Sequence, residues 1–573
     1  MYKENYLKSF LVLGAIRILL VMPILTFLFY KVLEVSEIQG ITETTIISVL
    51  SKPLSLLLLF VVMIVSLFFI YCEVGYLFLL SRLQMSEERI SFKQILILLG
   101  KKAFYFLSYQ LLFFFVYFIL ILPIALFGLN PTTTQSLRVP HFITDELMKS
   151  SIGTFIYIFV LLLIFYISMK LLYTVPFFVL DQKMTIGQAM KKSWSRTKGQ
   201  ILKNTITFGL ILIIHSFVIG IGILLFLLPV ILAETKFIAA APWVSGFMLT
   251  CIQWFLFMGY GMLQVVFTEL ILRFSNIISE QSSEKMVSHL FPKISGKYPI
   301  IVLILIFMIM GISNTGILSQ IIYQPSTLII AHRGDTANGV ENTISSLKSA
   351  AEIGADFVEM DVQETKDQKF VVFHDYTLRR LANRSESISD LTLAELQEIT
   401  VSSGSFSDKI PSLEEYIEVA KKEHVKLLIE IKLHGNESAD MEKNLVELLQ
   451  KEGVTRDYLV QGLNGETVKR VKELDPTIKT GYLVALNIGN LPEIEADFLV
   501  LEEFSFTTRL LEQAREQGKT VFVWTVNREN LMRKYLRLDI DGMITNYPQT
   551  ALQLRANFDK EHTLTARIKA LIE

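Results

Sequence analysis

Three short motifs, Ala331-His332-Arg333-Gly334, Glu359-Met360-Asp361 and Glu430-Ile431-Lys432, set charged or titratable side chains into or at the ends of runs of Val, Ile and Leu. In a β-strand residues i and i+2 point to the same face, so Glu359 and Asp361 project together, as do Glu430 and Lys432. Carboxylates that share a face repel unless a cation lies between them. Three of them with waters form a hard oxygen site, suited to one divalent cation, Mg²⁺ or Ca²⁺, and poorly suited to Zn²⁺. Of the eight histidines, only His332 and His374 fall at such strand ends. Imidazole exchanges a proton near neutral pH, and a pair can deprotonate an attacking oxygen while protonating a leaving one. Arg333 and Lys432 add the fixed positive charge that a phosphate needs. A metal, two histidines and two cations around one cavity describe phosphoryl chemistry.

The elements that must position these groups alternate between β-rich and amphipathic helical runs over residues 326–573. Strands are expected at Leu328–His332, Phe357–Val362, Lys426–Lys432, Tyr458–Gly462, Thr480–Val484, Phe498–Leu501, Thr520–Thr525 and Gly542–Thr545. Between them, apolar residues recur at three and four, as in Asn342–Ile353, Leu413–Lys422, Met441–Lys451, Glu466–Leu474, Thr508–Gln517 and Arg528–Leu538. Eight strand–helix units predict a (β/α)8 TIM barrel, whose reactive groups belong at the C-terminal ends of the strands. An extra strand, Lys369–Asp375, follows the second barrel strand too closely for a parallel crossover. It is expected to return as an antiparallel hairpin and to bring His374 alongside Glu359. Residues 376–411 read as a small insertion with one short helix over the barrel mouth.

Residues 1–325 have another character. The whole chain of 573 residues is 52% hydrophobic and 19% charged, with a mean hydropathy of +0.47. That excess lies in seven expected membrane spans, near Phe10–Tyr30, Pro53–Leu80, Ala103–Leu129, Ile152–Leu180, Thr205–Ala233, Trp243–Phe267 and Tyr298–Ile322, each long enough for a bilayer. A net charge of −1 without a basic stripe excludes a nucleic-acid partner. Cys72 and Cys251, both in apolar runs, exclude a disulfide framework and a cysteine zinc site. The N-terminus and the second, fourth and sixth loops carry about 17 Lys and Arg, against about 5 in the alternate loops. Cationic loops stay cytoplasmic, so the N-terminus is expected inside and, after seven spans, the C-terminal domain outside a cell membrane. Loops Arg82–Lys102 and Asp181–Asn204 suit short helices on the inner leaflet or plain connectors. Glu73, Lys170, Glu269 and His215 are polar residues within the spans, and Glu73 and Lys170 could pair.

The run AHRGDTANGVENTISSLKSAAEIGADFVEMDVQETKDQKFVVFHD, followed by LLIEIK, VFVWTVN and GMITNYP, closely resembles the glycerophosphodiester phosphodiesterases over about residues 328–556. VLDQKMTIGQAMKKSWSRTKGQ, between spans, is similar to the membrane domain of some bacterial members. The resemblance implies that Glu359, Asp361 and Glu430 bind the divalent metal and that His332 and His374 are general acid and base. It assigns Arg333 and Lys432 to the phosphate. Where the family usually has Pro-Glu-Asn-Thr, this chain has Val340-Glu341-Asn342-Thr343. Glu341 then either supports the site or serves the positive end of the following helix. Trp524 packs either on the glycerol or alcohol moiety or in the core.

The function expected is membrane-anchored hydrolysis of glycerophosphodiesters to glycerol-3-phosphate and an alcohol, on the outer face, with lipid-derived or glycerol-phosphate polymer substrates. The alternative is a transporter or lipid-handling protein whose barrel is an accessory phosphodiesterase or sensor. Oligomeric state is not legible in the sequence.

Overall fold

The computed structural model describes residues 2–85, 92–125, 141–148, 150–277, 298–319, 325–492, 494–538, 540–558 and 563–572. Crossing about 30 Å of hydrocarbon takes about 20 helical residues. Among the described residues six helices are long and apolar enough: Tyr6–Ser36, Pro53–Met85, Ser151–Leu180, Ile201–Lys236, Ala241–Ser275 and Ile301–Leu318. The remaining expected span, Ala103–Leu129, is not one straight helix. Phe92–Leu107 and Gln110–Leu120 meet at 104°, so the crossings number six, or seven if the bent pair is one span. The bend has a local cause. Ser108 is extended, and its hydroxyl accepts from the Gln110 N–H at 3.3 Å, opening a new helix. Just before it, buried Lys102 donates from Nζ to the carbonyls of Asp181 and Met184 at 2.9 and 2.6 Å. Leu129 and Ile322 lie outside the described residues.

The polar residues of the spans pair within the helical unit. Glu73 pairs with Arg17 rather than with Lys170, because Arg17 sits in a π-helical turn of the first span, facing the second. Lys170 ends its helix over the rings of Trp194 and Tyr166, at 5.3 and 5.9 Å. Glu269 accepts from the Tyr6 hydroxyl at 3.4 Å, and His215 lies partly buried beside Gly259. Each of the two basic loops holds a short helix, Phe92–Gly100 and Ile186–Arg196.

The second unit is built on strands β1 (Gly40–Thr42), β2 (Leu328–His332), β3 (Phe357–Glu364), β4 (Phe370–Val372), β5 (Thr400–Ser403), β6 (Phe406–Lys409), β7 (Lys426–Ile431), β8 (Leu459–Gly462), β9 (Lys479–Val484), β10 (Asn487–Gly489), β11 (Phe498–Glu502), β12 (Thr520–Trp524) and β13 (Gly542–Thr545). The order β2-β13-β12-β11-β9-β8-β7-β3 is parallel and closes through β2–β3 into an eight-stranded barrel. Closure removes every edge, and alternation sorts the side chains. On β3, Val358, Met360 and Val362 pack in the shell towards the helices, whereas Phe357 joins Ile330, Leu428, Phe498, Val500, Phe522 and Ile544 inside. Helix starts follow the usual chemistry, with Ser412 and Thr507 accepting from the N–H three residues on. The insertion is richer than one helix: it holds Arg379–Ala382, a 3₁₀ turn at Ile388–Asp390, Leu393–Gln397 and the β5–β6 hairpin around its own apolar cluster.

The chain forms two compact units, Met1–Ser36, Lys52–Arg138 and Leu147–Gln320 on one hand, and Glu37–Ser51, Val139–Glu146 and Ile321–Glu573 on the other. Two segments that lie between spans in sequence thus belong to the barrel unit. β1 pairs antiparallel with β10, in the loop that leaves the C-terminal end of β9. The Asn490 N–H donates to Gln39 O at 3.1 Å, and the Leu486 N–H donates to Glu43 Oε2 at 3.1 Å. Nothing in the sequence marks this pairing except Gly40, where a Cβ would stand 2.5 Å from the backbone oxygen of Asn490. A Gly40→Val substitution, worth roughly 1–3 kcal/mol of overpacking, is expected to speed limited proteolysis within 37–51 by about tenfold or more in detergent-solubilised protein. An unchanged cleavage rate would contradict the pairing.

Candidate active site

The sequence-selected residues converge on the C-terminal end of the barrel, and the register explains how. β2 pairs with β3 so that His332 lies opposite Glu359, and β3 pairs with β7 so that Asp361 lies opposite Glu430. One ligand oxygen from each of Glu359, Asp361 and Glu430 falls within 4.8 Å of the others, and all three residues are buried. Glu359 is 1% exposed, and its Oε1 meets no hydrogen-bond donor of the protein. Burial, then the charges of Asp361 and Glu430, push its carboxyl well above the usual range. Burial also acts on Asp361, but the cations Lys432 and Arg333 outweigh it and hold that carboxyl well below the usual range.

Both cations are built in. Arg333 occupies the left-handed region at φ 59°, uncommon for a side chain of this size. The turn aims its backbone N–H at Glu359 Oε2 (2.9 Å) and brings Nε to 3.3 Å from Asp361 Oδ2. Gly334 must follow it, because a Cβ there would lie 2.5 Å from Ser346 Oγ. Lys432 Nζ pairs with Glu430 and stands 3.2 Å from Asp361 Oδ1. Asn342, also left-handed at φ 59°, donates from Nδ2 to Asp361 Oδ2 at 2.7 Å and accepts the Asp361 N–H at 3.1 Å. Gln461 Nε2 donates to Glu430 Oε2 at 3.2 Å.

The histidines are held from one side. His332 Nδ1 donates to Asn546 Oδ1 at 2.6 Å, which turns Nε2 towards Glu359, 3.9 Å from Oε2. His374 Nδ1 donates to Asp375 Oδ1 at 2.9 Å. The β3–β4 ladder ends at Val362–Val372, and the Phe373 N–H donates to Asp361 O at 3.0 Å. His374 therefore leaves the sheet near Asp361 and groups with Glu341 and Asp375. Glu341 does not serve a helix start. The helix opens at Ile344 under a Thr343 cap, while Glu341 accepts from Arg333 Nη1 at 2.8 Å and from Arg380 at 2.7 and 2.8 Å. Trp524 ends β12 partly buried against the interior cluster.

The sequence reading missed Asn342, Asp375, Arg380, Gln461 and Asn546. Gln461 and Asn546 had a signal, a polar side chain within or just past an apolar strand. Arg380 had none, because only the folded insertion brings it to the site.

The three carboxylates fit a divalent cation on their own chemistry: all-oxygen donors, mutual proximity, and two buried oxygens, Glu359 Oε1 and Asp361 Oδ1, that accept no hydrogen bond. With two cations already beside them, Glu359 is the carboxylate left uncompensated.

Two family models match the chain, one in each part. Residues 2–313 match the family described as membrane domain of glycerophosphoryl diester phosphodiesterase, and residues 332–550 match the glycerophosphoryl diester phosphodiesterase family. The glycerophosphodiester phosphodiesterase of Caldanaerobacter subterraneus is 32% identical over 236 residues, covering 40% of this chain and 97% of that protein. YhdW of Bacillus subtilis is 33% identical over 233 residues, covering 38% and 94%. A solved phosphodiesterase of Oleispira antarctica, in complex with the product sn-glycerol-3-phosphate, is 26% identical with a TM-score of 0.35, covering 39% of this chain and 95% of that one.

A proton on Glu359 competes with a metal, so affinity for Mg²⁺ or Ca²⁺ is expected to rise with pH by up to about tenfold per unit below the raised pKa. The stability that this raised carboxyl contributes is fully present below its unfolded value and is lost as pH rises through the folded one. Thermal unfolding of the full chain in detergent, with chelator and with metal, is thus expected to show a gap that widens as pH rises above the ordinary carboxylate range. A pH-independent gap would contradict this electrostatic account.

Proposed function

Because the chain belongs to the glycerophosphodiester phosphodiesterase family, we propose that its barrel hydrolyses glycerophosphodiesters to glycerol-3-phosphate and an alcohol, in a divalent-metal-dependent reaction outside the membrane. Membership makes the chain a phosphoric diester hydrolase, and its apolar helices make it a multi-pass membrane protein. The observation that carries the metal dependence is the charge count of the site. Glu359, Asp361 and Glu430 face Arg333 and Lys432, so a divalent cation leaves one net positive charge, the complement of a phosphodiester monoanion.

Glu359, Asp361 and Glu430 would hold the cation, and the cation supplies charge stabilisation at the phosphoryl oxygens. Arg333 and Lys432 bind the phosphate and stabilise charge that develops on it. Of His332 and His374, one takes the proton of the attacking hydroxyl as its oxygen bonds to phosphorus. The other gives a proton to the alcohol oxygen as its bond to phosphorus breaks. The attacking hydroxyl belongs either to the glycerol or to water; both routes need the same pair. Trp524, partly buried at the end of β12, would pack on an organic moiety of the substrate.

The outward orientation is supported by charge: with the bent pair counted as one crossing, seven spans follow a cytoplasmic N-terminus, the lysine-rich loops fall on the cytoplasmic face and the barrel on the other. A barrel fixed at the bilayer suits membrane-tethered or polymeric glycerophosphodiesters.

Purified full-length protein is expected to release glycerol-3-phosphate only with Mg²⁺ or Ca²⁺, and His374→Ala and Glu359→Ala are each expected to lower kcat by about 10²-fold or more. Full activity in chelator would contradict the metal role. Among substrates, turnover of soluble glycerophosphocholine with none on any membrane-tethered diester would contradict tethering. For sidedness, a maleimide that does not cross membranes is expected to label Ser403→Cys in intact cells and to leave Lys191→Cys unlabelled. The reverse pattern would place the barrel inside.

A further inference from the structure

The helix Arg379–Ala382 sends one side chain out of the insertion and into the site. Arg380 Nε and Nη2 donate to Asp375 Oδ2 and Oδ1 at 2.7 and 2.8 Å, and its Nη1 and Nη2 donate to Glu341 Oε2 and Oε1 at 2.8 and 2.7 Å. The guanidinium is therefore clamped in bidentate fashion on both faces of its fork, using four hydrogen bonds, the geometry in which arginine cannot be replaced by a point charge. It lies between two carboxylates that, with His374, come within 4.8 Å of one another. Such a cluster could suggest a second metal, but the guanidinium already supplies its cation.

Each carboxylate continues to a residue of the proposed mechanism. Asp375 Oδ1 accepts from His374 Nδ1 at 2.9 Å, and Glu341 Oε1 accepts from Arg333 Nη1 at 2.8 Å. We infer that Arg380 is a positioning residue that couples the acid–base and phosphate-binding sides of the site, fixing His374 through Asp375 and Arg333 through Glu341. The inference rests on His374 exchanging a proton with substrate and on Arg333 holding its phosphate. Asp375 keeps the His374 proton on Nδ1, so the opposite nitrogen serves the reaction, the division of labour by which a buried carboxylate orients a catalytic imidazole. Glu341 holds one end of the Arg333 fork and so fixes the direction in which the guanidinium faces the site.

The two arms predict separable kinetics in full-length protein with Mg²⁺ and glycerophosphocholine. Asp375→Asn is expected to lower kcat by about tenfold or more with KM within about threefold, and Glu341→Gln to raise KM by about tenfold and lower kcat by no more than about threefold. Arg380→Ala is expected to combine both effects. In a His374→Ala background, Arg380→Ala is expected to lose most of its effect on kcat and keep its effect on KM, since residues acting as one unit are not additive. Arg380→Lys, which keeps the charge and loses the fork, is expected to fall between, with thermal unfolding close to the parent. A kcat in the double variant that falls below that of His374→Ala by the full factor seen for Arg380→Ala alone would mark a merely structural role and overturn the inference. So would kcat and KM unchanged in both Arg380→Lys and Asp375→Asn while His374→Ala is inactive. Full activity of His374→Ala would instead overturn the acid–base reading beneath it.

Discussion

Three carboxylates held within 4.8 Å of one another at the end of a barrel, with two cations to balance them, form the constraint around which the catalytic unit is arranged. Two unit charges about 4 Å apart repel by about 4 kcal/mol near a protein surface, and burial raises the cost. Arg333 accepts an uncommon backbone conformation so that it can face Asp361 and Glu359, and Gly334 exists to let that turn close. Lys432 shares a strand face with Glu430. Asn342 and Gln461 spend their amides on the same carboxylates. What is left over is one buried acid, Glu359, whose carboxyl is pushed well above the usual range by burial and by its acidic neighbours.

Much of this was legible because a parallel barrel makes alternation and strand ends informative. Glu359, Asp361 and Glu430 interrupt apolar strands at spacings of two, and such interruptions have few bland explanations inside a closed sheet. Strand and helix limits were readable for the same reason: apolar period and turn residues agree, so Leu328–His332, Gly542–Thr545, Leu413–Lys422 and Met441–Lys451 stand where periodicity puts them. The failures have another origin. Arg380 and Glu341 meet only through the insertion, whose short elements carry almost no periodic signal. Glu73 pairs with Arg17 rather than Lys170 because composition cannot say which helices are neighbours.

In the membrane domain hydropathy located apolar stretches but could not foresee a bend. Ser108 supplies a new helix start within a run whose composition reads as one span, so the number of crossings depended on a single residue's geometry. The same region shows how the barrel unit recruits chain from elsewhere: β1, a three-residue strand between two spans, completes a ladder with β10. A glycine at Gly40 was its only trace in the sequence, and a lone glycine is too common to read.

The most direct test of the central claim is anomalous diffraction from crystals of the full-length protein grown with Mn²⁺ as a substitute for Mg²⁺. The account predicts one peak among the carboxylate oxygens of Glu359, Asp361 and Glu430, and none between Glu341 and Asp375, where the Arg380 guanidinium lies. A peak at that second position, or none at the first with Mn²⁺ in excess, would contradict it.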